Sequence, residues 1–345
     1  MDDNDKLRAG ELSPNPLEGC EPVDLPEVTP DAAVEPVEPV EARSLAALLE
    51  HMMPRLKSRL FGLDVPIKTP WDSVNDAIAG GLWPGELSVL SGGTGSGKTQ
   101  WALQVALAAA KAGNPVLYVA LEMSELDALC RLAAMLSPGA HWSALWRGNA
   151  PSDAAGDALV ALNDAETNDD PPKPKVPLPL HFEFGKPGQW SADALDALVD
   201  SLPVIPDRRP LVIVDYIQLA GAPENQRLDA RERVGTAAYA CREVARNRDV
   251  AMLVVSSVSR ANGDAIANYA TASSREPSSL VGVGKEAGEL EFAAGLALVI
   301  VPGKKPKPGV LVVAKARAAV PVDVVLSFDG GRFDEPMPKG GGFHD

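Results

Sequence analysis

One short stretch constrains this chain more than any other. Gly92-Gly93-Thr94-Gly95-Ser96-Gly97-Lys98-Thr99 fits G-x-x-x-x-G-K-[ST] without a gap, follows an apolar run at 87–91 and opens an amphipathic helical pattern at 99–112. Strand, glycine loop and helix in that order form a concave nest of backbone N–H groups at a helix N-terminus, a shape that holds phosphate. Lys98 is expected to reach the β- and γ-phosphates and the Thr99 hydroxyl to ligate a metal ion, with Gln100 ending the nucleotide-contacting run. The ligands implied are ATP and Mg²⁺.

Such a loop needs a sheet behind it, and the rest of the chain supplies one. Strand patterns fall at 87–91, 116–121, 180–184, 211–215, 252–256, 296–301, 310–314 and 322–328, and helical patterns at 99–112, 125–136, 192–202 and 231–247. Short, nearly continuous Val/Ile/Leu strands spaced by helices indicate an α/β fold, a mostly parallel central sheet covered by helices on both faces. The last three strands lie too close together for helical crossovers, so that edge is expected to be antiparallel hairpins.

Two further strands end in acids. Leu211-Val212-Ile213-Val214-Asp215 places a carboxylate at the carboxyl edge of the sheet, where ligands of open α/β sheets bind, and Asp215 is expected in the Mg²⁺ shell. Val116-Leu117-Tyr118-Val119-Ala120-Leu121-Glu122 directly follows the phosphate-loop helix. A carboxylate there could polarise an attacking water, or could simply be a solvated strand end.

The net charge is −15, and residues 1–45 carry −9 of it, so the body is only mildly acidic. No general basic footprint for nucleic acid exists, and any such contact must use local loops. Residues 1–43 alternate acids with Pro22, Pro26, Pro30, Pro36 and Pro39 and read as a disordered tail, either a solvating arm or a partner-binding one. Residues 148–176 read as an inserted surface loop and 336–345 as a closing tail. Residues 44–63 form a linker helix region. Ser44 caps a stripe of Leu45, Leu48, Leu49 and Met52 that Pro54 interrupts, and the stripe packs on its own core or on a neighbouring subunit. Cys20, Cys130 and Cys241 have no metal-ligand spacing. With no leader pattern and no apolar run long enough to span a membrane, a cytoplasmic protein is expected.

Several segments together resemble one family. Gly80-Gly81-Leu82-Trp83-Pro84-Gly85-Glu86-Leu87 is similar to the lead-in of RecA-fold ATPases. Leu121-Glu122-Met123-Ser124, Asp215-Tyr216-Ile217-Gln218-Leu219, Ala314-Lys315-Ala316-Arg317 and Phe328-Asp329-Gly330 resemble, in the same order, motifs of DnaB-type replicative helicases. The resemblance covers residues 64–335 and implies a RecA-like P-loop ATPase domain without the helical N-terminal domain of such helicases. It implies that Glu122 is the catalytic carboxylate, and that Lys315 and Arg317 reach the γ-phosphate of a neighbouring subunit. It implies a homo-oligomer, a hexameric ring, acting on single-stranded DNA. Ser257 stands where that family has a Gln.

Family DNA contacts come from loops that correspond to about 221–233 and 260–285 here. The candidates are Arg227, Arg231, Arg260, Arg275 and Lys285, set among acids, with Tyr269 as the aromatic able to stack a base. These cations fit either DNA contact or ordinary surface charge. Two functions remain open: a DNA-translocating motor, and an ATPase that loads or remodels partners on DNA without unwinding it.

Overall fold

A computed structural model describes residues 43–136, 141–149, 177–186, 193–221, 227–284, 288–303 and 309–336. The acidic tail up to residue 42, nearly all of the inserted loop, the closing tail from residue 337 and Lys285 lie outside the described residues. The chain divides into two compact units, Met1–Pro54 and Arg55–Asp345.

The Ser44 hydroxyl, in the first unit, accepts a hydrogen bond from the Ala47 amide at 3.2 Å, capping α1 (Leu45–Leu60), whose residues from Arg55 on belong to the second unit. Leu45, Leu48, Leu49 and Met52 are all exposed. Pro54 does not end the helix as expected but lies inside it. A proline removes one N–H donor, and the turn after it is held by its own ion pairs: Asp64 is paired with Arg55 at 3.1 Å and Arg59 at 2.9 Å.

The second unit is built on a nine-stranded sheet. Its strands are β1 (Leu87–Gly92), β2 (Val116–Ala120), β3 (Leu180–Phe184), β4 (Leu211–Asp215), β5 (Ala251–Ser257), β6 (Leu296–Val301), β7 (Gly309–Ala316), β8 (Val322–Phe328) and β9 (Phe333–Asp334). Their order is β3-β2-β4-β5-β1-β6-β7-β8-β9. Neighbours from β3 to β6 pair parallel, and those from β6 to β9 antiparallel. The α/β architecture with an antiparallel edge is therefore as expected.

Alternation along the strands explains the layering. Leu211 and Ile213 of β4 pack into one core with Trp71, Trp101 and Leu103, under α2 (Asp72–Ala77) and α3 (Lys98–Lys111). Val212 and Val214 face the opposite core with Leu195, Val234 and Leu290. That face is covered by α6 (Asp193–Asp200), α7 (Ala230–Arg248) and α9 (Gly288–Ala293), while α4 (Glu125–Leu136) and α5 (Trp142–Trp146) follow β2. Each Leu, Ile or Val so buried contributes roughly 1.5–3 kcal/mol before entropy costs. Cys130 and Cys241 are free thiols in these layers, and burial pushes the Cys241 thiol up to about 12.

The stretch expected to be a loop over 260–285 is mostly ordered. It contains α8 (Arg260–Thr271), whose Ser259 cap accepts from the Asn262 amide, and a 3-10 turn at Pro277–Leu280. Ile266 and Tyr269 of α8 pack on Val299 and Val312, so the sequence there buries an apolar face instead of presenting a loop.

The glycines of the lead-in have a steric cause. Ile67 and Leu82 form an antiparallel bridge. Gly81, at φ +143°, lies so close that a Cβ would fall 2.4 Å from the Ile67 carbonyl oxygen. No other residue fits that approach.

Candidate active site at the carboxyl edge

The sheet order brings the ends of β2, β4, β5 and β1 side by side, and with them Glu122, Asp215, Ser257 and the phosphate loop. These groups line one cleft of about 420 Å³, together with Thr94, Gly95, Gly97, Lys98, Thr99 and Gln100. Gly92 is the last residue of β1, while Gly93 and Ser96 continue the loop, the Ser96 amide donating to the Gly93 carbonyl at 3.2 Å. Gly97, at φ +93°, caps α3 without a side chain, and the aromatic ring of Phe333 would collide with any Cβ there. The first amides of α3 are thus left for an anion.

Lys98 Nζ donates to the carbonyls of Gly92 and Gly93, both at 2.9 Å. Burial lowers its pKa, against the raising influence of Asp215 and Glu122. Asp215 is buried and accepts from the Tyr118 hydroxyl at 2.7 Å and from Thr99. Burial raises its pKa, opposed by Tyr118, Thr99, Lys98 and Arg131. Glu122 is raised by desolvation and by Asp215, and lowered by Lys98 and Arg131.

Among the described residues no group of three or more His, Cys, Asp or Glu could hold a metal. The Thr99 hydroxyl and the Asp215 carboxylate are nonetheless hydrogen-bonded neighbours beside the phosphate nest. Two hard oxygen donors, with phosphate and water to complete the shell, suit Mg²⁺. The residues present fit that ion.

Two features were not expected from the sequence. Arg131 of α4 lies over the Trp142 ring at 4.0 Å, reaches Gln100 Oε1 at 3.5 Å and lines the cleft. The available signal was a lone cation in an otherwise apolar stretch of α4, one helix after Glu122. Gln218 is the second: its Nε2 donates to Ser256 Oγ at 2.8 Å and its Oε1 accepts from the Ser257 amide at 3.1 Å. It ties the end of β4 to the end of β5.

Lys315 and Arg317 are not brought to this cleft. Antiparallel β7 carries them to the opposite, amino edge, where Lys315 pairs with Ala297 in register while the Gly92 end of the sheet meets Ile300 and Leu311. Three residues of β6 separate the two levels, roughly 10 Å. There Arg317 Nη1 is 3.6 Å from Glu86, and Lys315 Nζ donates to the Glu291 carbonyl at 2.6 Å.

The DNA candidates scatter. Arg227, three residues before α7, and Arg231, in its first turn, are exposed, and Arg260 is the first residue of α8. Arg275 is engaged within the chain: it bonds Asp323 at 3.1 Å and the Ala270 carbonyl at 3.1 Å, and lies over the Tyr269 ring. Tyr269 is only 5% exposed and its hydroxyl donates to Asp323. It cannot stack on a base, contrary to expectation, because its ring is part of the core under α8.

A family model described as an AAA domain matches residues 54–263. The chain is similar in structure to a DnaB-like replicative helicase, a protein described with its interactions with primase. They share 16% identity and a TM-score of 0.64 over 86% of this chain and 68% of that one. It is similar also to a second solved structure, described as an ATPase domain, with 17% identity and a TM-score of 0.66 over 84% of this chain and 98% of that one. No curated protein matches it.

Proposed function

Because this chain belongs to the AAA domain family, we propose that it is a Mg²⁺-dependent ATPase of DnaB-like helicase type, a ring-shaped motor acting on single-stranded DNA. One observation carries the reading. Lys98, Thr99, Asp215 and Glu122 converge in one cleft, while the two cations suited to a transferring phosphoryl group stand at the opposite edge of the sheet. A chain built so has half a site at each edge, and head-to-tail copies complete it. A hexamer in the cytoplasm goes with this reading.

In that site the backbone nest and Lys98 hold the β- and γ-phosphates. Thr99 and Asp215 would hold Mg²⁺, which neutralises charge on the phosphate oxygens when bound. Glu122, whose basicity burial and Asp215 raise, accepts a proton from the attacking water. Arg131 stands in the same cleft as a positive charge from the chain's own α4. Lys315 and Arg317 of the next copy stabilise charge that builds in the transition state.

The engagement of Arg275 and the burial of Tyr269 favour a second reading, an ATPase that loads or remodels partners on DNA without unwinding it. A strand-displacement assay with ATP and Mg²⁺ separates the two. Displacement supports the motor. DNA-stimulated hydrolysis without displacement supports the loader, and hydrolysis indifferent to DNA defeats both.

A further inference from the structure

Glu291 has no part in the chemistry above, yet it is a carboxylate only 3% exposed. It lies in α9, and its carboxylate accepts hydrogen bonds from the amides of Gly282 and Gly284. Its own backbone carbonyl accepts from Lys315 Nζ at 2.6 Å. One residue thus holds two elements that are far apart in sequence.

Each element leads toward a functional edge. Gly284 is bridged to Val258, which follows Ser257 in the cleft. The 282–284 segment is further pinned by Asn262 Nδ2, which donates to the Val283 carbonyl at 3.0 Å. On the other side, Lys315 feels the like charges of Arg317 and Arg242 and the opposite charge of Glu291. Holding two amides needs only an acceptor, and burying a full charge to do so is costly. The negative charge has a second use at Lys315, where it opposes the like charges of Arg317 and Arg242.

We propose that Glu291 is a positioning residue for Lys315. Its carbonyl sets the place of the ammonium group and its carboxylate offsets Arg317 and Arg242. Through Gly284 and Val258 it ties that place to the end of β5 in the same chain's cleft. The proposal rests on the reading of Lys315 as a group offered to the phosphate of a neighbouring copy.

The test is a double-mutant cycle on the full-length assembled protein, with Glu291→Gln, Lys315→Ala and the double variant. Steady-state ATP hydrolysis is measured beside binding of a fluorescent ATP analogue and thermal unfolding. Lys315→Ala is expected to lower kcat about 10²-fold. Glu291→Gln is expected to lower kcat about 10-fold with KM and analogue binding unchanged, and the double variant to be no slower than Lys315→Ala alone. Wild-type kcat in Glu291→Gln overturns the proposal, and so does a double variant slower than Lys315→Ala by the full Glu291→Gln factor. Full activity in Lys315→Ala removes the shared-site role of Lys315 and the proposal with it. If Glu291→Gln fails to fold, Glu291→Asp carries a cycle of its own by drawing the carboxylate back from the Gly282 and Gly284 amides and from Lys315, and a wild-type kcat, or a loss that adds in full to that of Lys315→Ala, overturns the proposal.

Discussion

The Tyr118 hydroxyl, on β2, donates a 2.7 Å hydrogen bond to Oδ2 of Asp215, on β4. The two residues are fully or nearly fully buried, and the bond crosses between paired strands at the edge where Glu122 also ends. A buried carboxylate needs such donors. Tyr118→Phe should therefore destabilise the domain by about 1–3 kcal/mol, read as a lower urea midpoint. An unchanged midpoint would mean that Thr99 and solvent satisfy Asp215 without Tyr118.

Glu122→Gln keeps the shape of the side chain and removes its basicity. Turnover of ATP should fall by about 10²–10⁴-fold while a fluorescent ATP analogue still binds. Lys98→Ala should behave differently, because Lys98 lies against the loop itself, and should weaken binding of the nucleotide. Equal hydrolysis by Glu122→Gln and the parent protein would remove Glu122 from the mechanism.

Completion of the site by a neighbour can be tested by mixing. Arg317→Ala chains retain the phosphate loop, and Lys98→Ala chains retain both cations of the amino edge. Each variant should be inactive alone, and mixed assemblies should regain part of the activity because some interfaces pair two intact halves. Co-assembly without recovery would refute the shared site.

Arg275 should act on stability and not on DNA. Its guanidinium is held by Asp323, the Ala270 carbonyl and the Tyr269 ring. Arg275→Ala is expected to cost about 1–3 kcal/mol in unfolding. The salt dependence of single-strand binding should stay unchanged, whereas Arg227→Ala, at an exposed position, should reduce that slope by about 0.7. The reverse pattern would return Arg275 to the DNA surface.

The exposed stripe of Leu45, Leu48, Leu49 and Met52 calls for a cover. A helix of this length is close to marginal alone in water. If another copy supplies the cover, removal of residues 1–53 should leave a folded, ATP-binding protein of smaller mass by light scattering. An oligomer of unchanged size would count against the docking.

Local chemistry was enough to make much of this protein legible from its residues. The phosphate loop is contiguous, so strand, nest and helix follow from eight residues in a row, and Asp215 and Glu122 follow from apolar runs that end in an acid. The parallel sheet with its antiparallel edge follows from spacing, because crossovers need length and hairpins do not. What depends on contacts distant in sequence had to wait for the fold. Nothing local says that Tyr269 turns inward, because the partners that bury it are on β6 and β7 and its hydroxyl meets Asp323 of β8. Nothing local pairs Arg275 with Asp323, or aims Arg131 into the cleft. The strand order decided the rest. It set β2, β4, β5 and β1 side by side and sent Lys315 and Arg317 to the far edge, because β7 runs antiparallel to the strands that carry the phosphate loop and the acids.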